Sequence, residues 1–254
     1  MKGEFDLIGW YRNWRRNRIL RRDGLSDRDW EVLIQRVPAV ARYDPHTRGR
    51  LRELVVLFLH EKSIEPAGGL GIGEDTRRLI ALQACIPILG LGLEWYRGWR
   101  SVIVYPGDFS VHDAYTDDTG IVHEVEEARS GEAWPEGPVV LSWTDSDEDA
   151  NVVIHEFAHK LDMVNGNANG MPPLHADMDR GEWTTVFTRA YDDLHGRIER
   201  GEPLPFDAYA ATDPAEFFAV ASEVFLLSPD RVRDAYPRVY TQLCAFYRQH
   251  PRTF

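Results

Sequence analysis

The 254-residue chain reads as an α+β protein, a mainly helical single domain around a small mixed sheet. Three observations carry that reading. Helical periodicity dominates both ends of the chain, and short β-branched runs are confined to its middle. No internal repeat, low-complexity tract or long linker divides it. Hydrophobic residues make up 43% of the sequence, enough for one substantial core.

The elements follow in order. Ser26 is placed to cap a helix through about Val37, where Pro38 follows. A second helix is expected over Thr47–Lys62, with Leu51, Leu54, Val55, Phe58 and Leu59 on one face. Gly68–Gly73 reads GGLGIG, but no clear strand precedes it and no Lys-Ser/Thr follows, so it is a loop rather than a phosphate cradle. A third helix then runs over about Glu74–Leu89. Ser101–Tyr105 is a β-branched strand closed by Pro106-Gly107, and the Asp117–Gly120 turn precedes a strand over Ile121–Glu126. Val139–Ser142 is a further strand, either an edge able to pair with an extended peptide or an ordinary interior one. Helices return at about Asp147–Val164, Gly181–Arg200, Pro214–Leu227 and Arg238–His250.

Charge excludes some functions. The chain carries 29 Lys and Arg against 41 Asp and Glu, a net charge of −12, which disfavours whole-surface binding to nucleic acid or anionic membranes. The charge is polarised: residues 1–62 hold 14 basic and 9 acidic residues (+5), and residues 63–254 hold 15 and 32 (−17). Between Arg12 and Arg22, six arginines alternate with aromatics that begin at Trp10, Tyr11 and Trp14. That composition suits partner docking, and equally a solvated helix face paired with nearby acids. Cys85 and Cys244 are too few and too far apart for a disulfide framework or a cysteine-based zinc site. No signal-peptide core is present, and the longest uncharged run, Leu79–Leu93, is too short to span a bilayer. A cytoplasmic location without membrane contact is expected.

One segment carries chemistry. His155-Glu156-Phe157-Ala158-His159 is an HExxH motif. Residues four apart on a helix share a face, so both histidines can reach one metal ion, and Glu156 sits close enough to act on a water there. Ser146 with Asp149 supplies a capping-box-like start, and Gly166 a stop. Imidazole ligands and hydrolytic chemistry favour one zinc ion with a third protein ligand. In HExxHxxGxxH that ligand follows at once, but Asp162 and Asn165 occupy the Gly and His positions. The remaining candidates are Asp177, Asp179, Glu182, Glu216 and Glu223. Glu216 stands in the first turn of a helix opened by Asp213-Pro214, a more rigid mount than the irregular stretch before it, and Glu223 lies seven residues on along much the same face. Asp162 can orient a ligand histidine or cap the helix end. The seven other histidines show no ligand spacing, although the loop holding His175 could line a cleft.

His155–Asp162, together with Tyr209-Ala-Ala-Thr-Asp-Pro-Ala-Glu216-Phe-Phe-Ala-Val, resembles the Mlc titration factor A family of zinc peptidases. Gln83-Ala-Cys85, Val102–Pro106, Gly137–Trp143 and Phe246–Gln249 extend the likeness over nearly the whole chain. The Tyr-x₆-Glu element is also similar to one in the protease domain of anthrax lethal factor. The resemblance implies a zincin-like (gluzincin) core over residues 63–254 behind the basic helical region 1–62. It implies zinc held by His155, His159 and Glu216, with Glu156 as catalytic carboxylate and Tyr209 as an oxyanion donor. The substrate would be a peptide or protein, with aminopeptidase-type trimming one form of the activity, and a transcriptional repressor a further partner. The competing reading is a non-catalytic zinc-containing protein that sequesters such a regulator. It has no use for Glu156, and a structural zinc would close its fourth position with a protein ligand.

Overall fold

The computed structural model describes residues 7–106, 109–116, 122–129, 131–134, 136–143 and 149–251. Helices α1 (Leu7–Asp23), α2 (Asp27–Gln35) and α3 (Pro45–Glu61) come first. Ser26 caps α2 by accepting from Asp29 N at 3.1 Å. Asp44 caps α3 by accepting from Thr47 N at 3.0 Å, with Pro45 as first helical residue, so α3 starts two residues before the periodicity alone suggests. On α1, Ile19 is buried and Arg16 pairs with Glu53 of α3, while Trp10, Tyr11 and Trp14 stand exposed. Some arginines of the basic run therefore do pair with nearby acids.

Strand β1 (Ser63–Pro66) follows α3 directly. Its four residues, Ser-Ile-Glu-Pro, carry no β pattern of their own, and register with its neighbour is what makes them a strand. Helix α4 (Glu74–Cys85) ends earlier than Leu89. Pro87 offers no N–H, and the next residues close i→i+3 turns instead, as in Leu89 N to Ile86 O. Then come β2 (Ser101–Tyr105), β3 (Phe109–Thr116), β4 (Val122–Arg129), β5 (Gly131–Ala133) and β6 (Val139–Ser142). The main sheet has the order β1-β2-β6-β5, parallel except for β5, which runs antiparallel on β6. Val139–Ser142 is thus an interior strand and β5 takes the edge. β6 earns its place inside by carrying buried Val139 and Leu141 beside buried Val102 and Val104 of β2. β3 and β4 form a separate antiparallel pair. The expected 117–120 turn and Ile121 lie outside the described residues, as does Ser146.

The remaining helices are α5 (Asp149–Asp162), α6 (Arg180–Arg200), α7 (Pro214–Leu227), α8 (Pro229–Ala235) and α9 (Pro237–Tyr247). The short polar α8 has no hydrophobic pattern to announce it. α9 stops before His250 because Arg248 turns left-handed, at φ 51°. No helix among the described residues is long and apolar enough to cross a membrane. Cys85 and Cys244 are both free and buried.

Two aromatic clusters anchor the helices that matter below. Phe157 of α5 packs against Phe58, Tyr96 and Trp99 with ring centroids 5.1–5.8 Å apart. Phe217 and Phe218 of α7 pack against Phe187 at 6.0 and 6.4 Å, with Trp183 stacked on Phe187 at 4.1 Å.

Candidate metal centre

HExxH lies within α5 as its spacing requires. Val153, Ile154, Phe157, Ala158 and Leu161 bury the helix in the core, and His155 and His159 look out together. The facing element is α7. Asp213 caps it, its Oδ1 accepting from Ala215 N and Glu216 N at 2.7 and 2.9 Å, and Pro214 takes the first helical position. That cap holds Glu216 in the first turn, against the α5 histidines.

His155 Nε2 and His159 Nε2 are 3.1 Å apart, and Glu216 Oε2 lies 2.9 Å from the first and 3.4 Å from the second. Ligands on a tetrahedral ion with bonds of about 2.05 Å stand roughly 3.3 Å from one another, so the spacing fits one zinc. Glu216 Oε2 is also buried, facing the two imidazole nitrogens. Burial alone would raise the Glu216 carboxyl, but the adjacent His155 and His159 imidazoles outweigh it and hold it well below the usual carboxylate range. Burial likewise opposes charge on His159, and the carboxylates of Glu216, Glu156 and Asp162 reverse that, raising it. Among the described residues, no other group of three His, Cys, Asp or Glu side chains converges this way.

The other candidate ligands are engaged elsewhere. Asp177 pairs with Arg248 at 2.5 Å, Asp179 caps α6 by accepting from Glu182 N at 2.6 Å, and Glu182 faces Arg238 at 3.5 Å. Glu223, one of the sequence candidates, faces the opposite ring nitrogen, His155 Nδ1, at 3.9 Å. Its burial raises its carboxyl, with His155 opposing. It stands behind the His155 ring rather than within the convergent group.

Glu156 is buried, next to His155 but outside the convergent trio. Its neighbour across the site is Gly131 of β5. A methyl group at that glycine would lie 2.5 Å from Glu156 Cγ and Cδ and would overlap Oε1. A lone glycine in a three-residue strand gives no sequence signal of this role. Tyr209 sits in a 3₁₀ turn, Ala208–Ala211, whose cap Asp207 accepts from Tyr209 N at 2.8 Å. Its ring is 6.1 Å from that of His155 and half exposed, at the mouth of the site.

Asp162 is fully buried, and its Oδ2 accepts from Asn169 N and Gly170 N, both at 2.7 Å. Gly170 has φ +77°, and a Cβ there would strike the carbonyl of Pro214, so Asp162 fastens the loop that abuts the start of α7. Among the described residues, neither Asp162 Oδ1 nor His159 Nδ1 has a hydrogen-bond partner. His175 does not line the metal centre; it bonds Phe246 O at 2.8 Å and packs on Trp95.

The family model described as glucose-regulated metallo-peptidase M90 matches residues 11–248. The chain belongs to that family. Among curated relatives, Mlc titration factor A of Cronobacter sakazakii is 37% identical over 252 residues, covering 96% of this chain and 93% of its own. Mlc titration factor A of Salmonella typhi is 37% identical over 255 residues, with the same shares. The protein of that name from Salmonella arizonae is 40% identical over 232 residues, covering 87% and 91%.

Proposed function

We propose that this M90 member is a zinc-dependent peptidase, one domain over residues 1–254 with a zincin-like core formed by α5, α7 and β5. The observation that carries the reading is the convergence of His155 Nε2, His159 Nε2 and Glu216 Oε2 beside a buried carboxylate that belongs to none of the three. A structural zinc would recruit a fourth protein ligand. None joins this group among the described residues.

Zinc held by these three residues would supply Lewis acidity and bring the pKa of a water down to about 7. Glu156 takes a proton from the attacking water at its carboxylate and delivers it to the departing amine. Tyr209 donates from its phenol to the carbonyl oxygen as negative charge develops there. An extended peptide can lie along β5, whose outer edge has no partner strand among the described residues. The relatives are named for titrating Mlc, which supports a transcriptional repressor of that kind as a protein partner here as well.

Glu156→Gln tests the reading. The variant should keep its zinc and lose peptide hydrolysis by about 10²- to 10⁴-fold. Cleavage at the parent's rate overturns the peptidase assignment, and so does a chain that holds no zinc after gentle purification. Repressor binding, measured on the same variant, examines the partner separately.

A further inference from the structure

Glu156 and Lys160 are one turn apart on α5, so they share a face of the helix. The hairpin of β5 and β6 crosses that face. Gly131 lies over Glu156, and further along the hairpin Lys160 meets the turn. Lys160 is 3% exposed, an unusual place for an ammonium group. Its Nζ donates to the carbonyls of Trp134 and, at 3.0 Å, of Gly137, and it lies 4.9 Å from the centre of the Trp99 ring. Gly137 N also donates to Trp134 O at 3.2 Å. Among the described residues this three-residue edge strand pairs with one strand only, β6, and short edges open readily.

We propose that Lys160 is a positioning residue for the peptidase reaction. Its ammonium clamps the β5–β6 turn to the metal-binding helix, which keeps β5 pressed against Glu156 and its outer edge straight for a peptide. This rests on the peptidase reading above. Its action passes through the hairpin.

The test compares zinc-loaded parent, Lys160→Met and Lys160→Arg. Met keeps the packing on Trp99 without the donors, and Arg restores donors. Amide hydrogen exchange over residues 131–141 should speed up at least tenfold in the Met variant while exchange in α7 and α9 is unchanged. The kcat on an extended peptide should fall about tenfold at unaltered zinc content, and Arg should recover most of it. A purely structural lysine would instead lower the melting temperature and raise exchange throughout, with kcat per zinc-loaded chain preserved; that result overturns the proposal. If the Met variant does not fold, Lys160→Gln takes its place with the same readouts. If the parent cleaves no peptide, the peptidase reading fails, and the exchange comparison still decides whether the clamp exists: equal exchange at 131–141 refutes it.

Discussion

Replacing Gly131 by alanine adds one methyl group at the place where the edge strand meets Glu156, the carboxylate proposed to act on water. That Cβ would stand 2.5 Å from Glu156 Cγ and Cδ, against 3.4–4 Å for ordinary contact, so something must move by about 1 Å. The α5 backbone cannot yield cheaply, because Phe157 is wedged among Phe58, Tyr96 and Trp99. The Glu156 side chain or β5 has to give way instead. A displacement of about 1 Å at a reacting group costs on the order of 10²-fold in rate, and overpacking adds about 1–3 kcal/mol of destabilisation. The proposed zinc ligands on α5 and α7 are not among the atoms nearest the new methyl group, so metal content should be unchanged. The assay is kcat/KM on a peptide substrate, with zinc content and melting temperature measured on the same preparation. A folded, zinc-loaded Gly131→Ala variant within threefold of parent activity would refute the claim that Gly131 sets the position of Glu156.

Three further outcomes are expected. Glu223→Gln removes the carboxylate behind His155 Nδ1 and should weaken zinc binding about 10- to 100-fold in a competitive chelator titration; unaltered affinity would deny it any part in orienting that ring. Chelation should lower the melting temperature, since a metal at 100 times its Kd contributes about 2.7 kcal/mol, or about 5–10 °C for a chain of this size, and His155→Ala should abolish that response. Asp193 accepts from Arg197 at 2.7 Å and from the Tyr236 hydroxyl at 3.0 Å, which hold its carboxyl below the usual range. A depressed carboxyl contributes stability above its unfolded value of about 3.9 and loses it as pH falls through the folded value. Urea midpoints of Asp193→Asn should therefore fall less steeply than the parent's below about pH 4.

What could be read from sequence follows how local each signal is. HExxH and the Asp213-Pro214 start are contained in one turn of helix each, and α5 and α7 carry them as expected. Bringing Glu216 to the two histidines took the meeting of two helices. Spacing left five carboxylates open, and the fold separates them by giving Asp177, Asp179 and Glu182 other partners and by placing Glu223 behind the ring. No local pattern marks β1 or β5, because their pairing, not their composition, makes them strands. β5's place at the edge instead of β6 is a question of strand order, which no local pattern contains. Asp162 showed its position on the helix but not its bonds, which go to a loop seven and eight residues downstream.

The site's precision comes from apolar residues that sit beside the polar ones in sequence. Metal and catalytic groups must be held to within about 0.5 Å, and long side chains on free helices do not achieve that. Here Glu156 is followed by Phe157, locked among Phe58, Tyr96 and Trp99, while Glu216 is followed by Phe217 and Phe218, locked on Phe187 and the Trp183 stacked against it. Each helix is thus fixed in rotation and translation by a cluster on its far side, and α5 and α7 meet with their polar faces between the two clusters. The three atoms stand about 3 Å apart on helices whose positions several buried aromatic rings fix from outside the site. On this view a truncation such as Phe218→Ala, remote from any reacting atom, should loosen zinc binding more than an equally destabilising change in α1, where no ligand is anchored.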